Sequence, residues 1–163
     1  MTILENMSMA ENKNKSWNLT PGVNKKKREI YRETLRGLGL GLEDKLDDKV
    51  GLLSGGQRQA LALIMATLVP IDFLILDEHT AALDPKTADT VMAITDKLVR
   101  EKNLTALMVT HNLNYSLKYG DRLIMMHKGE KIMDLAGEEK KNLKLDSILD
   151  KFYEISIEVG NSL

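Results

Sequence analysis

Apolar positions along this chain fall into short runs separated by polar, glycine-marked or proline-marked breaks. The period of the runs changes from place to place. Ile3, Leu4, Met7 and Met9 lie on roughly one side of a helix end within Met1 to Met9. Asn12 to Asn24, with Pro21 and Gly22, reads as a loop. Lys25 to Gly37 predicts a basic amphipathic helix with Ile30, Thr34 and Leu35 on its apolar side and Gly37 as its stop. Leu42 to Leu53 is an acidic connector. Ser54-Gly55-Gly56-Gln57 has the S-x-x-Q form of a capping box. The helix it opens is apolar nearly all round from Ala60 to Val69, which predicts burial on most sides and an end at Pro70.

Shorter runs follow. Phe73 to Leu76, stopped by Asp77-Glu78, predicts a central parallel strand. Pro85 marks a helix start, and Val91, Ile94 and Leu98 keep helical spacing from Thr87 to Arg100. Thr105 to Thr110 predicts a second buried strand, and Leu113 to Tyr119 a short helix closed by Gly120. Arg122 to His127 and Glu130 to Leu135 flank Lys128-Gly129, a hairpin with a two-residue turn. Met125-Met126 beside Ile124 reads as core. Leu145 to Tyr153 predicts a last helix. Strand, helix, strand, helix, strand is the order of an α/β fold whose sheet is parallel at least in part.

Composition agrees with this picture and narrows it. At 163 residues, 43% apolar and 29% charged, the chain has the make-up of one globular domain. A net charge of −1 gives no basic field for nucleic acid, so Lys25-Lys26-Lys27-Arg28 reads as a solvated helix start. With no cysteine there is neither a disulfide nor a thiolate metal site, a usage that fits the cytosol. Met1 to Glu5 lacks the pattern of a signal peptide. The most apolar run, Ala60 to Leu76, is broken by Pro70 and Asp72 and falls short of the ~20 residues a spanning helix needs.

Three places carry candidate chemistry. Gly55 and Gly56 at a helix start allow close backbone approach, and the free amides with the positive dipole end suit a phosphate. Asp77 and Glu78 end an apolar strand at the carboxyl edge of the sheet, where α/β proteins bind ligands. Alternation is expected to point the two carboxylates apart, one toward a magnesium ion and the other toward an attacking water. Thr110-His111 follows the next strand, so His111 is placed to reach the same edge.

Together these residues resemble the ABC ATPase family. Leu53 to Gln57 is similar to the family's signature motif, Phe73 to Asp77 to Walker B, Glu78 to the catalytic glutamate, Ala82-Leu83-Asp84 to the D-loop, and His111 to the switch histidine. The resemblance runs from Met1, whose first residues look like the stretch after the Q-loop, to about Leu135. Asp77 to Lys86 is similar to the equivalent string of importer ATPases, some of them linked to aromatic amino acids. The resemblance implies a partial P-loop NTPase fold: a helical signature subdomain over residues 1–70, incomplete at its N-terminal side, and the C-terminal part of the catalytic α/β core over 71–163. It also implies ATP and Mg2+ as cofactors. Asp77 would order the metal, Glu78 would act on water and His111 would position the γ-phosphate. Ser54, Gly55, Gly56 and Gln57 would meet a partner's nucleotide, and Asp84 would link two sites.

No G-x-x-x-x-G-K-[ST] occurs, and Gly37-Leu38-Gly39-Leu40-Gly41 lacks the lysine and hydroxyl of a phosphate loop. The resemblance therefore implies a chain that completes a site on a second ABC domain, head to tail, and does not hydrolyse ATP alone. It further implies a membrane-spanning permease, a solute-binding protein, and a cytoplasmic place on the inner face of the membrane. Two alternatives stay open: a unit of a soluble ribosome-acting ABC protein, and a non-catalytic remnant with uncovered sheet edges. A chromosome-maintenance ATPase needs a long coiled coil, which has no heptads here.

Overall fold

The computed structural model describes residues 1–13, 23 and 25–160, and it forms two compact units, Met1–Met108 and Val109–Leu163. Side chains at 152 and 154–160 are excluded from that description. The expected loop from Asn12 to Asn24 lies mostly outside the described residues.

The first unit begins with a helix of its own rather than a helix end. Helix α1, Ile3–Asn12, opens on a capping box in which Thr2 Oγ1 accepts from the Glu5 amide at 3.2 Å and Glu5 Oε2 accepts from the Thr2 amide at 2.8 Å. T-x-x-E was present in the sequence as the signal. Ile3, Leu4 and Met7 are buried, whereas Met9 faces solvent. The Ile3 and Leu4 amides donate to the Asp48 and Leu46 carbonyls at 3.0 and 2.9 Å, so the connector clasps the start of α1.

Lys25–Lys27 form a 3-10 turn leading into α2, Arg28–Arg36, with Gly37 at its end as expected. The buried side of α2 is Tyr31 and Leu35; Ile30, expected there, is 60% exposed. Tyr31 wins the inward position because its hydroxyl finds a partner, donating to Glu11 Oε2 at 2.6 Å. Burial, and then the Glu11 carboxylate, push Tyr31 up to about 12. Leu42, Leu46 and Leu53 of the connector are buried in the same core.

Helix α3, Gly55–Ala66, ends earlier than Pro70, with Thr67 as its cap and its hydroxyl donating back to the Leu63 carbonyl at 3.1 Å. Ala60, Leu61, Leu63 and Ile64 are buried, but Ala62 and Ala66 are exposed, so one side of α3 is open rather than enclosed. Strand β1, Phe73–Asp77, follows, then α4, Pro85–Glu101, and β2, Thr105–Val109, which joins β1 in a two-stranded sheet. A helical crossover of this length is what parallel neighbours require. Leu74 and Leu76 enter the core beside Leu61, Ile64, Ile94 and Leu98.

The expectation of two strands buried on both faces is corrected. Phe73 and Ile75 are exposed, and β2 is exposed at all but Met108. Helices cover one side of β1, and its alternate residues meet no layer among the described residues.

The second unit holds α5, Leu113–Lys118, the strands β3, Arg122–His127, and β4, Glu130–Ala136, then α6, Gly137–Lys141, and α7, Leu145–Gly160. The strands pair antiparallel through the Lys128-Gly129 turn, with both turn residues in the left-handed region at φ 47° and 82°. A bulge sits between Met125 and Met126. Ile124 and Met126 face solvent, so this stretch is not core; Leu123 is the buried residue. Helix α6 was not foreseen. Its Lys140 is buried and donates to the Leu117, Tyr119 and Gly120 carbonyls at 3.0, 2.8 and 2.8 Å, closing the end of α5.

Candidate nucleotide-contacting site

The chain enters α3 through buried Leu53 and exposed Ser54. Ser54 Oγ accepts from the Gln57 amide at 3.2 Å, and Gln57 Oε1 accepts from the Ser54 amide at 3.1 Å, completing the expected box. Gln57 Nε2 also donates to the Leu40 carbonyl at 3.0 Å, and Arg58 donates back to the Leu53 carbonyl. Both ends of the Gln57 amide are thus used to hold the loop. The Gly55 and Gly56 amides lie in the first turn of α3, where no intrahelical acceptor exists and the dipole favours an anion.

The two glycines are packed, not merely flexible. A Cβ at Gly56 would stand 2.2 Å from Thr87 Cγ2, and one at Gly55 would stand 3.1 Å from Leu83 Cδ2. The signature residues therefore rest on the turn that carries Asp84. Asp84 caps α4, its Oδ1 accepting from the Thr87 amide at 3.1 Å, with Pro85 at the first helical position. Hydrogen bonds from Thr87, side chain first and then backbone, hold the Asp84 carboxyl below its ordinary range.

Strand β1 ends at Asp77, and Asp77 and Glu78 are both exposed. Glu78 takes φ 43°, a left-handed conformation that costs a non-glycine residue about 1–3 kcal/mol. The expectation that strand alternation sets the two carboxylates apart is corrected here. The pleat stops at Asp77, and a left-handed turn sets the course of Glu78. The Glu78 carbonyl accepts from the Ala81 amide at 2.9 Å and the Thr80 carbonyl from the Leu83 amide at 3.1 Å, so the chain turns tightly between β1 and α4.

One participant escaped the sequence reading. His79, half-buried, places Nε2 3.2 Å from Thr95 Oγ1 inside α4. Its only signal was a histidine directly after Glu78. Burial lowers its pKa.

Among the described residues there is no group of three or more His, Asp and Glu that could hold a metal by itself. Magnesium, however, is commonly bound through one or two carboxylates with phosphate oxygens and water. Exposed Asp77 fits that part alongside a nucleotide. His111 belongs to the second unit, exposed, between Thr110 and Asn112. The Asn112 side chain caps α5, accepting from the Asn114 and Tyr115 amides at 3.0 and 3.2 Å, so His111 sits one residue before a fixed helix start.

A capped glycine pair resting on the helix that follows an acidic strand end, in a chain of alternating helices and strands, is the architecture of a nucleotide-binding cassette. Residues 1–81 match the family model described as ABC transporter. The chain is 55% identical over 152 residues to a tyrosine transport ATP-binding protein of Clostridioides difficile (strain R20291), spanning 93% of this chain and 60% of that protein. It is 37% identical over 136 residues to an energy-coupling factor transporter ATP-binding protein of Bacillus cereus (strain ZK / E33L), spanning 83% of this chain and 44% of that one. Among solved structures, the ADP conformation of an ATP-binding cassette of an ABC transporter superposes with a TM-score of 0.72 at 27% identity, over 94% of this chain and 62% of that one. A dimeric bacterial ABC transporter cassette superposes at 0.65 and 29% identity, over 83% and 56%.

The chain belongs to the ABC transporter ATP-binding family. It spans under two thirds of the length of these curated relatives.

Proposed function

We propose that this chain supplies the signature and water-activating parts of an ABC importer's ATPase, and that the assembled ATPase energises uptake of a small solute. The observation that carries this reading is the packing of Gly55 and Gly56 on Leu83 and Thr87, which puts the signature helix start and the Asp84 turn on one rigid support. Two elements that must face a nucleotide together are held together before it arrives.

In this reading residues 1–70 are the helical subdomain that meets a membrane-spanning permease, and 71–163 are part of the catalytic core. Ser54, Gly55, Gly56 and Gln57 meet the nucleotide held by a second cassette, and Asp84 faces the same junction. Asp77 orders Mg2+ bound with ATP, and that ion offsets phosphate charge. Glu78 orients or deprotonates the attacking water, and His111 donates to the γ-phosphate. The assembly sits at the inner face of the membrane with a solute-binding protein on the other side. In this reading the permease provides the anchorage; no helix among the described residues is long and apolar enough to cross a membrane. The name of the Clostridioides difficile relative supports an aromatic amino acid as the solute.

The chain by itself carries no phosphate-loop motif, and we propose that it does not turn over ATP alone. Phosphate release by the purified 163-residue protein tests this; clear turnover abolished by Glu78→Gln would overturn it. The transport reading is tested by grafting this chain in place of the matching segment of that relative. Restored ATPase activity and tyrosine uptake, both lost with Glu78→Gln, are expected. A folded graft without either activity would sink the reading.

A further inference from the structure

We propose that His79 and Thr95 form a clamp that positions Glu78. The proposal rests on the reading of Glu78 as the residue that handles water, and it names what holds that residue in place.

Glu78 adopts φ 43° between a strand that ends at Asp77 and a turn closed by the Ala81 and Leu83 amides. A free chain abandons a left-handed glutamate readily, so such a conformation persists where its surroundings over-determine it. On the strand side, Leu74 and Leu76 anchor β1 in the core. On the far side, the residue directly after Glu78 is tied by its side chain to the middle of α4.

Proton accounting fixes the direction of that tie. Thr95 is 4% exposed, and its hydroxyl donates its one proton to the Val91 carbonyl at 2.8 Å, the i−4 bond open to a threonine within a helix. Toward His79 it can then only accept. His79 therefore donates through Nε2–H and carries the lone pair on Nδ1. A buried hydroxyl with both its roles used sets a distance and a direction for the imidazole, and the imidazole sets the peptide that joins His79 to Glu78. α4 is the same helix whose first turn supports Gly56 and is capped by Asp84. One helix thus fixes the glutamate from its middle and the signature glycine from its start. His79 and Thr95 are positioning residues; neither is assigned a contact with substrate.

Nitrogen-15 NMR of the full 163-residue chain tests the clamp directly. In the unmodified protein His79 is expected as the Nε2–H tautomer, and the Glu78 backbone shifts are expected to report a left-handed residue. Thr95→Val keeps the shape of the side chain and removes the acceptor. It is expected to move the Glu78 shifts toward ordinary right-handed values and to speed exchange of the Ala81 and Leu83 amides about three- to tenfold, the loss of roughly one hydrogen bond. Thr95→Ser, which retains the hydroxyl, is expected to restore both signals. An Nδ1–H tautomer in the unmodified protein would overturn the proposal. So would unchanged Glu78 shifts and exchange in Thr95→Val, or failure of Thr95→Ser to restore them. If Thr95→Val does not fold, the tautomer and the Thr95→Ser spectra still decide the matter. None of these signals depends on turnover, so the clamp fails or stands apart from the role given to Glu78; Glu78→Gln in the grafted ATPase tests that role.

Discussion

Gly56 and Thr87 meet so closely that no side chain fits between them: a Cβ on the glycine would lie 2.2 Å from the threonine's Cγ2. Backbone of α3 and side chain of α4 are in contact at the point where both helices begin. Gly56→Ala is therefore expected to lower stability by about 1–3 kcal/mol through overpacking. A fall in the denaturant midpoint at unchanged slope would show it. Thr87→Ala removes the Cγ2 atom, and the double variant is expected to recover most of the loss. A Gly56→Ala protein as stable as the parent would disprove the contact.

Glu78 carries its own stability test. Glycine adopts φ 43° without a Cβ penalty, so Glu78→Gly is expected to relieve strain that Glu78→Gln keeps. The expected gap between the two variants is about 1 kcal/mol, with Glu78→Gly the higher melting. In the grafted ATPase both are expected to be inactive. A more stable and inactive variant is the mark of strain retained for function.

Lys140 holds three backbone carbonyls at the end of α5. Lys140→Met fills similar space and leaves those carbonyls without a donor. The expected cost is about 1–3 kcal/mol, read as faster amide exchange in α5 and α6. Lys140→Arg is not expected to rescue it, because a planar guanidinium does not converge on three acceptors as an ammonium does. Intact exchange protection in Lys140→Met would count against the staple.

Tyr31 predicts behaviour at high pH. Its ionisation is pushed up from 10.0 to about 12, first by burial and then by Glu11. A raised folded value contributes stability that is fully present below pH 10 and is lost as pH rises from 10 toward 12. Absorbance titration at the tyrosinate band should show a late phase near pH 12. Tyr31→Phe should abolish the late phase and flatten the loss of stability across that window. A late phase that survives the substitution would show that another tyrosine is responsible.

Local chemistry made much of this molecule legible in the sequence. The Ser54–Gln57 box, the Gly37 stop, Pro85 at a helix start and the Lys128-Gly129 turn are decided within four or five residues, and each stands as read. The Thr2–Glu5 box is equally local, a T-x-x-E string that caps α1. Burial was read less well. Spacing favours Ile30 inward, but Tyr31 takes that place because the choice hangs on Glu11, far away along the chain. The apolar runs of β1 and β2 say that their residues prefer the interior, not which layer is there to cover them.

The order of the motifs, the acidic strand end and the glycine pair belong to the sequence alone, because each follows from residue type and spacing. Only the tertiary structure decided that Gly56 rests on Thr87, that Glu78 leaves the strand in a left-handed turn, and that His79 reaches Thr95. Those facts depend on how α4 lies against α3 and β1. Helix-on-helix and helix-on-strand placement is settled by the packing of many apolar residues at once, which no local pattern records.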